Sequence, residues 1–292
     1  MKKTYHLCLS AGNEVLFRDL EDYNRGFNCL ALALYKTGSG GLVESFMSTH
    51  VHQLSQTDDH GGLMYNFRLS YCMYFNREYH RPGKLGEDTH FTMEVVGYHH
   101  TLAAASYVLR NALHHGVSPL PYAYPHCSAN AIFIKEMGKA PCSRLLDKRH
   151  FRNFIGKTAV FLRETVLDIP QVENLFVTPR AFNWYMTRKS SEEWEAEQHK
   201  DKNGLPPINL VGIEKGVRTD STEKMIVYES GKANYRKPSD IDICTDIDRN
   251  ILPKYGKASI YMLTRQEKQN IAEYLYRTLY LPEDQIRRCL VM

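Results

Sequence analysis

Residues 45–56 read SFMSTHVHQLSQ, an apolar stretch that places His50 and His52 on either side of Val51. Side chains two apart on a β-strand point to the same face, so in a strand these imidazoles can converge on one ligand while Val51 faces the other way. Such a pair suits a metal, for which histidine is the commonest protein ligand. Two partly buried histidines satisfied by hydrogen bonds would show the same pattern.

Around this stretch the apolar spacing alternates between strand and helix. TYHLCLS (4–10) reads as a short strand, followed by a turn at Gly12-Asn13 and a helix through RDLEDYNRGFNCLALALYKTG, closed by Gly38. GLVESFMSTHVHQLSQ (41–56) reads as one strand. LMYNFRLSYCMYFNREYH (63–80) reads as a helix that ends at RPG, and HFTMEVV (90–96) alternates as another strand. YHHTLAAASYVLRNALHHG (98–116) has the strongest helical spacing in the chain, with Gly116 placed to cap it and Pro119 beyond. Strand, helix, strand, helix, strand, helix predicts an α+β sandwich in which helices cover one face of a sheet.

Beyond residue 150 the pattern changes, which divides the chain into 1–150 and a mainly helical region, 151–292. Helices are expected over 142–167 and 180–198. The charged run SSEEWEAEQHKDKNGLPP (190–207) reads as an exposed helix end and loop, and MIVYES (225–230) as a strand. In KPSDIDICTDIDRNI (237–251), Asp240, Asp242, Asp246 and Asp248 invite a cation site. The glycine and twelfth-position glutamate of a calcium loop are missing, so turn and helix-cap roles are the commoner explanation. The last stretch, SIYMLTRQEKQNIAEYLYRTLYLPEDQIRRCLVM (259–292), contains a long helix, a break at Leu281-Pro282 and a short helix bearing Arg287 and Arg288. It reads first as a helical hairpin packed on the body of the protein, and second as part of a helix-turn-helix module that binds DNA.

Composition narrows the function classes. Of 292 residues 43% are apolar and 24% charged, as in soluble globular proteins, and the net charge of +4 permits a polyanionic partner without demanding one. The seven cysteines are odd in number, scattered and free of C-x-x-C pairs, which argues against a disulfide framework or zinc ribbon and for reduced thiols. The opening MKKTYHLCLSAGNEVLFRD does not read as a signal peptide, and no apolar run approaches the roughly 18 residues of a membrane span. A soluble, cytoplasmic protein with no membrane partner is expected. Of thirteen histidines only His199 lies beyond residue 150, so histidine chemistry belongs to the first half.

On a helical wheel, Leu102, Ala105, Leu109, Ala112 and Leu113 gather on one side of residues 98–116. Tyr107, Asn111 and His114 stand nearly opposite, with His100, Ala103 and Ala104 beside them. Tyr107 is thus expected on the polar side, Asn111 one turn later, and the small alanines leave room for something to approach the phenol.

Together these motifs resemble a family. YVLRNALHHGV is similar to the tyrosine-helix motif of the single-tyrosine HUH transposases, in particular the REP-associated branch, with Tyr107, Asn111 and Gly116 on the recurring tyrosine, asparagine and glycine. MSTHVHQL resembles that family's His-hydrophobic-His strand, YCMYFNREYHRPGKL its Asn-Arg-rich segment, and TYHLCLSAGNEVLFRDLEDY its first strand and turn, in the same order over residues 4–117. The chain departs from the pattern at Thr49 and Ala112, where asparagine and proline are usual, and GEDTHFTM lacks an expected arginine.

The resemblance implies a ferredoxin-like antiparallel sheet with helices on one face, a central histidine strand and the tyrosine helix packed over it. It implies a divalent cation, Mg2+ or Mn2+, held by His50, His52 and Asn111, and Tyr107 as a nucleophile that forms a 5′-phosphotyrosine on DNA. Either the metal field or a neighbour such as His100 or His114 would activate the phenol. The implied partner is single-stranded DNA with hairpin or repeat ends, bound by a monomer or homodimer. Candidate DNA contacts are Arg68, Arg77, Arg81, Lys84 and Arg110, with Arg180 and Trp184 in the second half. Three other readings compete: a non-catalytic DNA-binding protein derived from a transposase, an H-x-H metal-dependent hydrolase of small molecules, and a replication initiator or relaxase.

Overall fold

The computed structural model describes residues 2–86, 90–136, 161–187, 191–201, 227–229, 232–234 and 238–292. Four strands, β1 (Lys3–Ser10), β2 (Gly40–Phe46), β3 (His50–Thr57) and β4 (Phe91–Val95), form one antiparallel sheet in the order β2-β3-β1-β4. The histidine strand is therefore interior, paired on both sides.

The stretch 41–56 is a hairpin rather than one strand. Its turn, Met47-Ser48-Thr49, is closed by the Met47 N–H donating to the His50 carbonyl at 2.8 Å. Glycine, proline, asparagine and aspartate are all missing from it, and Ser48 is its one turn-favouring residue. Tertiary bonds hold it instead: the Ser48 carbonyl accepts from the N–H groups of Leu16 and Phe17 at 2.7 and 3.2 Å, and the Ser48 hydroxyl donates to Asp240 at 2.8 Å.

Helices α1 (Leu20–Lys36) and α2 (His60–Glu78) begin at Asp19 and Asp59, whose carboxylates accept from the N–H groups of Asp22 and Gly62. Both pack on one face of the sheet, where Leu7, Leu9 and Val51 meet Phe27, Leu30, Phe67 and Phe75. On the opposite face lie α3 (Tyr98–Leu109), α6 (Ile169–Phe176) and α7 (Pro179–Thr187), packed with Leu42, Val43 and Leu54. The expected α+β sheet with a helical cover is present, and the cover extends to both faces rather than one. The reason lies in the strands, for β3 is buried without interruption from His50 to Ser55, a pattern that requires both faces to be covered.

The tyrosine helix is interrupted. α3 stops at Leu109, Arg110 takes φ −92° and ψ 5°, and a short α4 (Asn111–His114) follows. Gly116, at φ +68°, closes the segment in the left-handed conformation that glycine adopts without strain. Of the helix expected over 142–167, only its end lies within the described residues, as α5 (Arg163–Val166). The described residues of the stretch 180–198 are helical, in α7 and α8 (Ser191–Gln198), and MIVYES supplies β5 (Val227–Glu229), paired with β6 (Lys232–Asn234).

Three further helices, α9 (Asp240–Asp246), α10 (Arg265–Leu279) and α11 (Glu283–Leu290), build a third core from Ile243, Ile247, Leu275, Ile286 and Leu290, into which Val15 projects. The hairpin of α10 and α11 thus packs on the body. The four aspartates of 237–251 serve a helix cap, two ion pairs and a side-chain hydrogen bond. Asp242 completes a capping box with Ser239, Asp246 accepts from Asn250, Asp240 takes both arms of Arg288 at 2.7 and 2.9 Å, and Asp248 takes Arg18 at 2.7 and 3.0 Å. No described helix is long and apolar enough to cross a membrane.

Candidate functional site

The register of β1 on β3 sets Cys8 opposite His52 and Ser10 opposite His50. Directly paired residues share a face, so His6, Cys8 and Ser10 stand with His50 and His52, on the side covered by α3. Tyr107 meets them there: its ring centroid lies 5.3 Å from that of His52 and 5.9 Å from that of His6. The wheel places Tyr107 on the polar side of its helix, and that side is the one against the sheet. The apolar side packs under α6 and α7, which leaves the phenol fully buried rather than at the surface.

The break at Arg110 starts a new turn at Asn111, whose Oδ1 lies 3.0 Å from His50 Nε2. His114 from the same turn stacks on Tyr107 at 5.6 Å, and the His115 ring stands 5.3 Å from that of His50. On β1, His6 Nε2 approaches His52 Nδ1 to 3.0 Å, and Thr49 Oγ1 lies 3.1 Å from His50 Nδ1. His6, His50, His52, Tyr107 and Asn111 are all closed off from solvent.

That burial sets the charge state. Desolvation pushes His6, His50 and His114 down to about 3 and His52 well below its ordinary value. Neighbouring imidazoles push the same way at His50 and His52, and the Arg110 guanidinium followed by His115 does so at His114; at His50 only the bond to Asn111 opposes them. Near neutral pH these rings are uncharged, the form that ligates a metal.

Two neutral imidazoles and an amide oxygen suit a divalent cation. His50 Nε2 and Asn111 Oδ1 are separated by 3.0 Å, close to the roughly 3 Å between adjacent ligands about 2.1 Å from one octahedral ion. The Asn111 Nδ2 is buried without a hydrogen-bond partner, so this position satisfies only the oxygen end of the amide, through His50. Among the described residues no group of three or more His, Cys, Asp or Glu is arranged to hold a metal, so a cation at this cluster would need the Asn111 amide beside His50 and His52.

Of the two histidines proposed to assist Tyr107, only His114 stands beside it. His100 is at the start of α3, where its Nδ1 accepts from the Val96 N–H at 3.0 Å. Asp201, in the charged run expected to be solvated, accepts from the N–H groups of His99 and His100 at 3.0 and 2.8 Å. The preceding residue, Gly97, has no side chain to cap α3, and a Cβ there would lie 2.5 Å from Asp201 Oδ2. A remote carboxylate therefore serves as the N-terminal cap of the tyrosine helix. The rest of that run, 202–207, lies outside the described residues.

The cationic candidates divide between the two faces. Arg68, Arg77, Arg81 and Lys84 belong to α2 and the segment after it, on the face away from Tyr107. Arg68 donates to the Leu85 carbonyl at 3.2 Å, Arg81 forms a two-armed ion pair with Glu14 at 2.6 and 3.0 Å, and Arg77 and Lys84 are exposed. Arg110 donates to the Tyr185 carbonyl at 3.0 Å, beside the cluster. Arg180 and Trp184 are exposed one turn apart on α7, which packs against α3.

His6, His115 and Asp201 have no part in the sequence reading of the site. A signal for His6 exists in TYHLCLS, where His6, Cys8 and Ser10 alternate with Tyr5, Leu7 and Leu9. Nothing local marks Asp201, which is brought in from 101 residues away.

No protein-family profile matches the chain, and no curated protein matches it. Among solved structures, the chain is distantly similar to a REP-associated tyrosine transposase bound to a REP hairpin, with 11% identity and a TM-score of 0.40 over 50% of this chain and 88% of that chain.

Proposed function

We propose that this chain cuts and rejoins single-stranded DNA that carries a hairpin, as a transposase acting through Tyr107. The observation that carries the reading is convergence. Tyr107 of α3, His50 and His52 of β3 and Asn111 of α4 meet in one cluster, at positions where the sequence resembles the single-tyrosine HUH transposases. His50, His52 and Asn111 would hold Mg2+ or Mn2+. The ion, when bound, supplies positive charge that polarises a non-bridging phosphate oxygen and stabilises the charge that builds there.

The phenol oxygen of Tyr107 attacks phosphorus, the Tyr107–phosphorus bond forms, and the bond to the 3′ oxygen breaks to leave a 3′-hydroxyl. His114, stacked on the ring, is a weak base while burial holds its pKa near 3, so it would accept the phenol proton, and pass it to the departing 3′ oxygen, only once the cluster opens to water. Reversal by a second 3′-hydroxyl rejoins the strand. The phosphotyrosine keeps the energy of the bond that was broken, so no nucleotide is consumed. Because Tyr107 and both strand histidines are closed off from solvent, a phosphodiester reaches them only after the cluster opens.

That same closure favours a second reading, a non-catalytic DNA-binding protein descended from a transposase, in which the histidines merely bond to one another. Incubation with a pool of hairpin-bearing single-stranded DNA and Mn2+, followed by a denaturing gel, separates the two. The proposal expects a covalent protein–DNA adduct that disappears in Tyr107→Phe and His50→Ala. DNA binding with no adduct, in Mg2+ and Mn2+ alike, supports the second reading.

A further inference from the structure

The two strand histidines are held in the same way. In each, Nδ1 has a partner behind it, Thr49 Oγ1 at 3.1 Å for His50 and His6 Nε2 at 3.0 Å for His52. In each, Nε2 faces another group, Asn111 Oδ1 at 3.0 Å for His50 and Cys8 Sγ at 3.9 Å for His52. A neutral imidazole carries its proton on one nitrogen and ligates only through the other, so the partner behind each ring decides whether it can bind an ion.

At His50 the Asn111 carbonyl oxygen can only accept. With no ion bound, the ring proton belongs on Nε2, and the Thr49 hydroxyl donates to Nδ1. An ion at Nε2 requires that proton on Nδ1 instead. A hydroxyl both donates and accepts, so Thr49 can turn and take the new Nδ1–H without leaving a buried donor unpaired. At His52 the corresponding acceptor is His6. That residue lies fully buried in the sheet, where its ring Nε2 shares one hydrogen bond with His52 Nδ1 and, among the described residues, its Nδ1 has no partner. Its own bonding is not satisfied by this position, which calls for another reason for its presence.

We infer that Thr49 and His6 are positioning residues, which accept Nδ1–H from His50 and His52 and so turn both Nε2 lone pairs toward a divalent cation. This rests on the reading of His50 and His52 as metal ligands. Outer partners of this kind fix ring orientation and tautomer, and their loss typically weakens metal binding about 10- to 100-fold.

Two readouts test it without catalysis. In the purified protein, titration with Mn2+ alone is expected to show affinity lower by about 10- to 100-fold in Thr49→Val and in His6→Phe, which keep shape but remove the acceptor. Thr49→Ser and His6→Gln, which restore an acceptor, should recover most of it, and thermal melts identify any variant that fails to fold. Nitrogen–proton correlation spectra of the Mg2+-loaded protein should show His50 and His52 protonated on Nδ1. Protonation on Nε2 there, or wild-type Mn2+ affinity in folded Thr49→Val and His6→Phe, overturns the inference while the metal reading stands. A wild-type chain that binds neither ion removes the metal reading and this inference with it.

Discussion

The two faces of the central strands are equally buried and opposite in character. Under α1 and α2, Leu7, Leu9 and Val51 pack against Phe27, Phe67 and Phe75, and the buried phenol of Tyr71 donates to the Leu16 carbonyl at 2.6 Å. Under α3 the same strands present His6, Cys8, His50 and His52 to Tyr107 and Asn111, and polar atoms such as His6 Nδ1 and Asn111 Nδ2 have no hydrogen-bond partner. Desolvating polar groups without full compensation costs stability, and the apolar face of the same strands offsets it. A period of two lets one strand do both, which is why adjacent residues such as Val51 and His52 answer to different demands.

The largest expected effect tests that division directly. Phe67, fully buried on the aromatic face, should lose about 3–5 kcal/mol of folding free energy on replacement by alanine, from lost burial and the cavity left behind. Tyr107→Phe removes only an oxygen on the other face and should change stability by about 1 kcal/mol or less. Denaturant midpoints at constant slope measure both, and a Tyr107→Phe loss as large as that of Phe67→Ala would make the tyrosine a core residue first.

A smaller effect follows from charge. His6, His50 and His114 have pKa values near 3 in the folded protein and about 6.5 in the unfolded chain. The unfolded state therefore binds more protons in that window. The stability these neutral rings contribute is complete above about pH 6.5 and is lost as pH falls toward 3, by about 1.4 kcal/mol per pH unit for each histidine. On the aromatic side His126, stacked on Tyr23 and likewise pushed down to about 3 by burial, adds to the same limb, so His6→Phe should flatten the acid limb of metal-free protein by about one proton without abolishing it. An unchanged limb would place His6 in contact with water.

How much of this was legible follows the same physical divide. The helices α1 and α2 rest on local spacing, which a sequence displays, whereas spacing alone did not join Tyr107 and Asn111 to His50 and His52; the family resemblance did. The turn at 47–49 was not legible, because a single serine is a weak turn signal and Ser48 is held by Leu16, Phe17 and Asp240, far away in sequence. The wheel of 98–116 separated the correct two sides, yet a wheel cannot say that both are buried; that depends on α6 and α7, some seventy residues later. His6 was legible in principle, since alternation alone assigns it to the face of His52 once the register is known. Asp201 was not, because a cap supplied from a distant segment leaves no mark near the helix it caps.

The smallest effect on stability should be the most informative about DNA. Arg180 and Trp184 are exposed on α7, over the face that holds Tyr107, whereas Arg77 and Lys84 are exposed at α2, over the face that does not. Substitutions at such surface positions should leave folding within about 0.5 kcal/mol. If DNA approaches the tyrosine, Trp184→Ala should weaken hairpin binding by about 1 kcal/mol through lost base stacking. Arg180→Glu should lower the slope of log affinity against log salt by about one, as expected for one phosphate contact. Arg77→Glu and Lys84→Glu should leave both quantities near wild type. The reverse result would put the DNA across the sheet from Tyr107. A strand bound there is separated from the phenol by the full thickness of the sheet, so that outcome would argue for binding without cleavage even where the histidine cluster is intact.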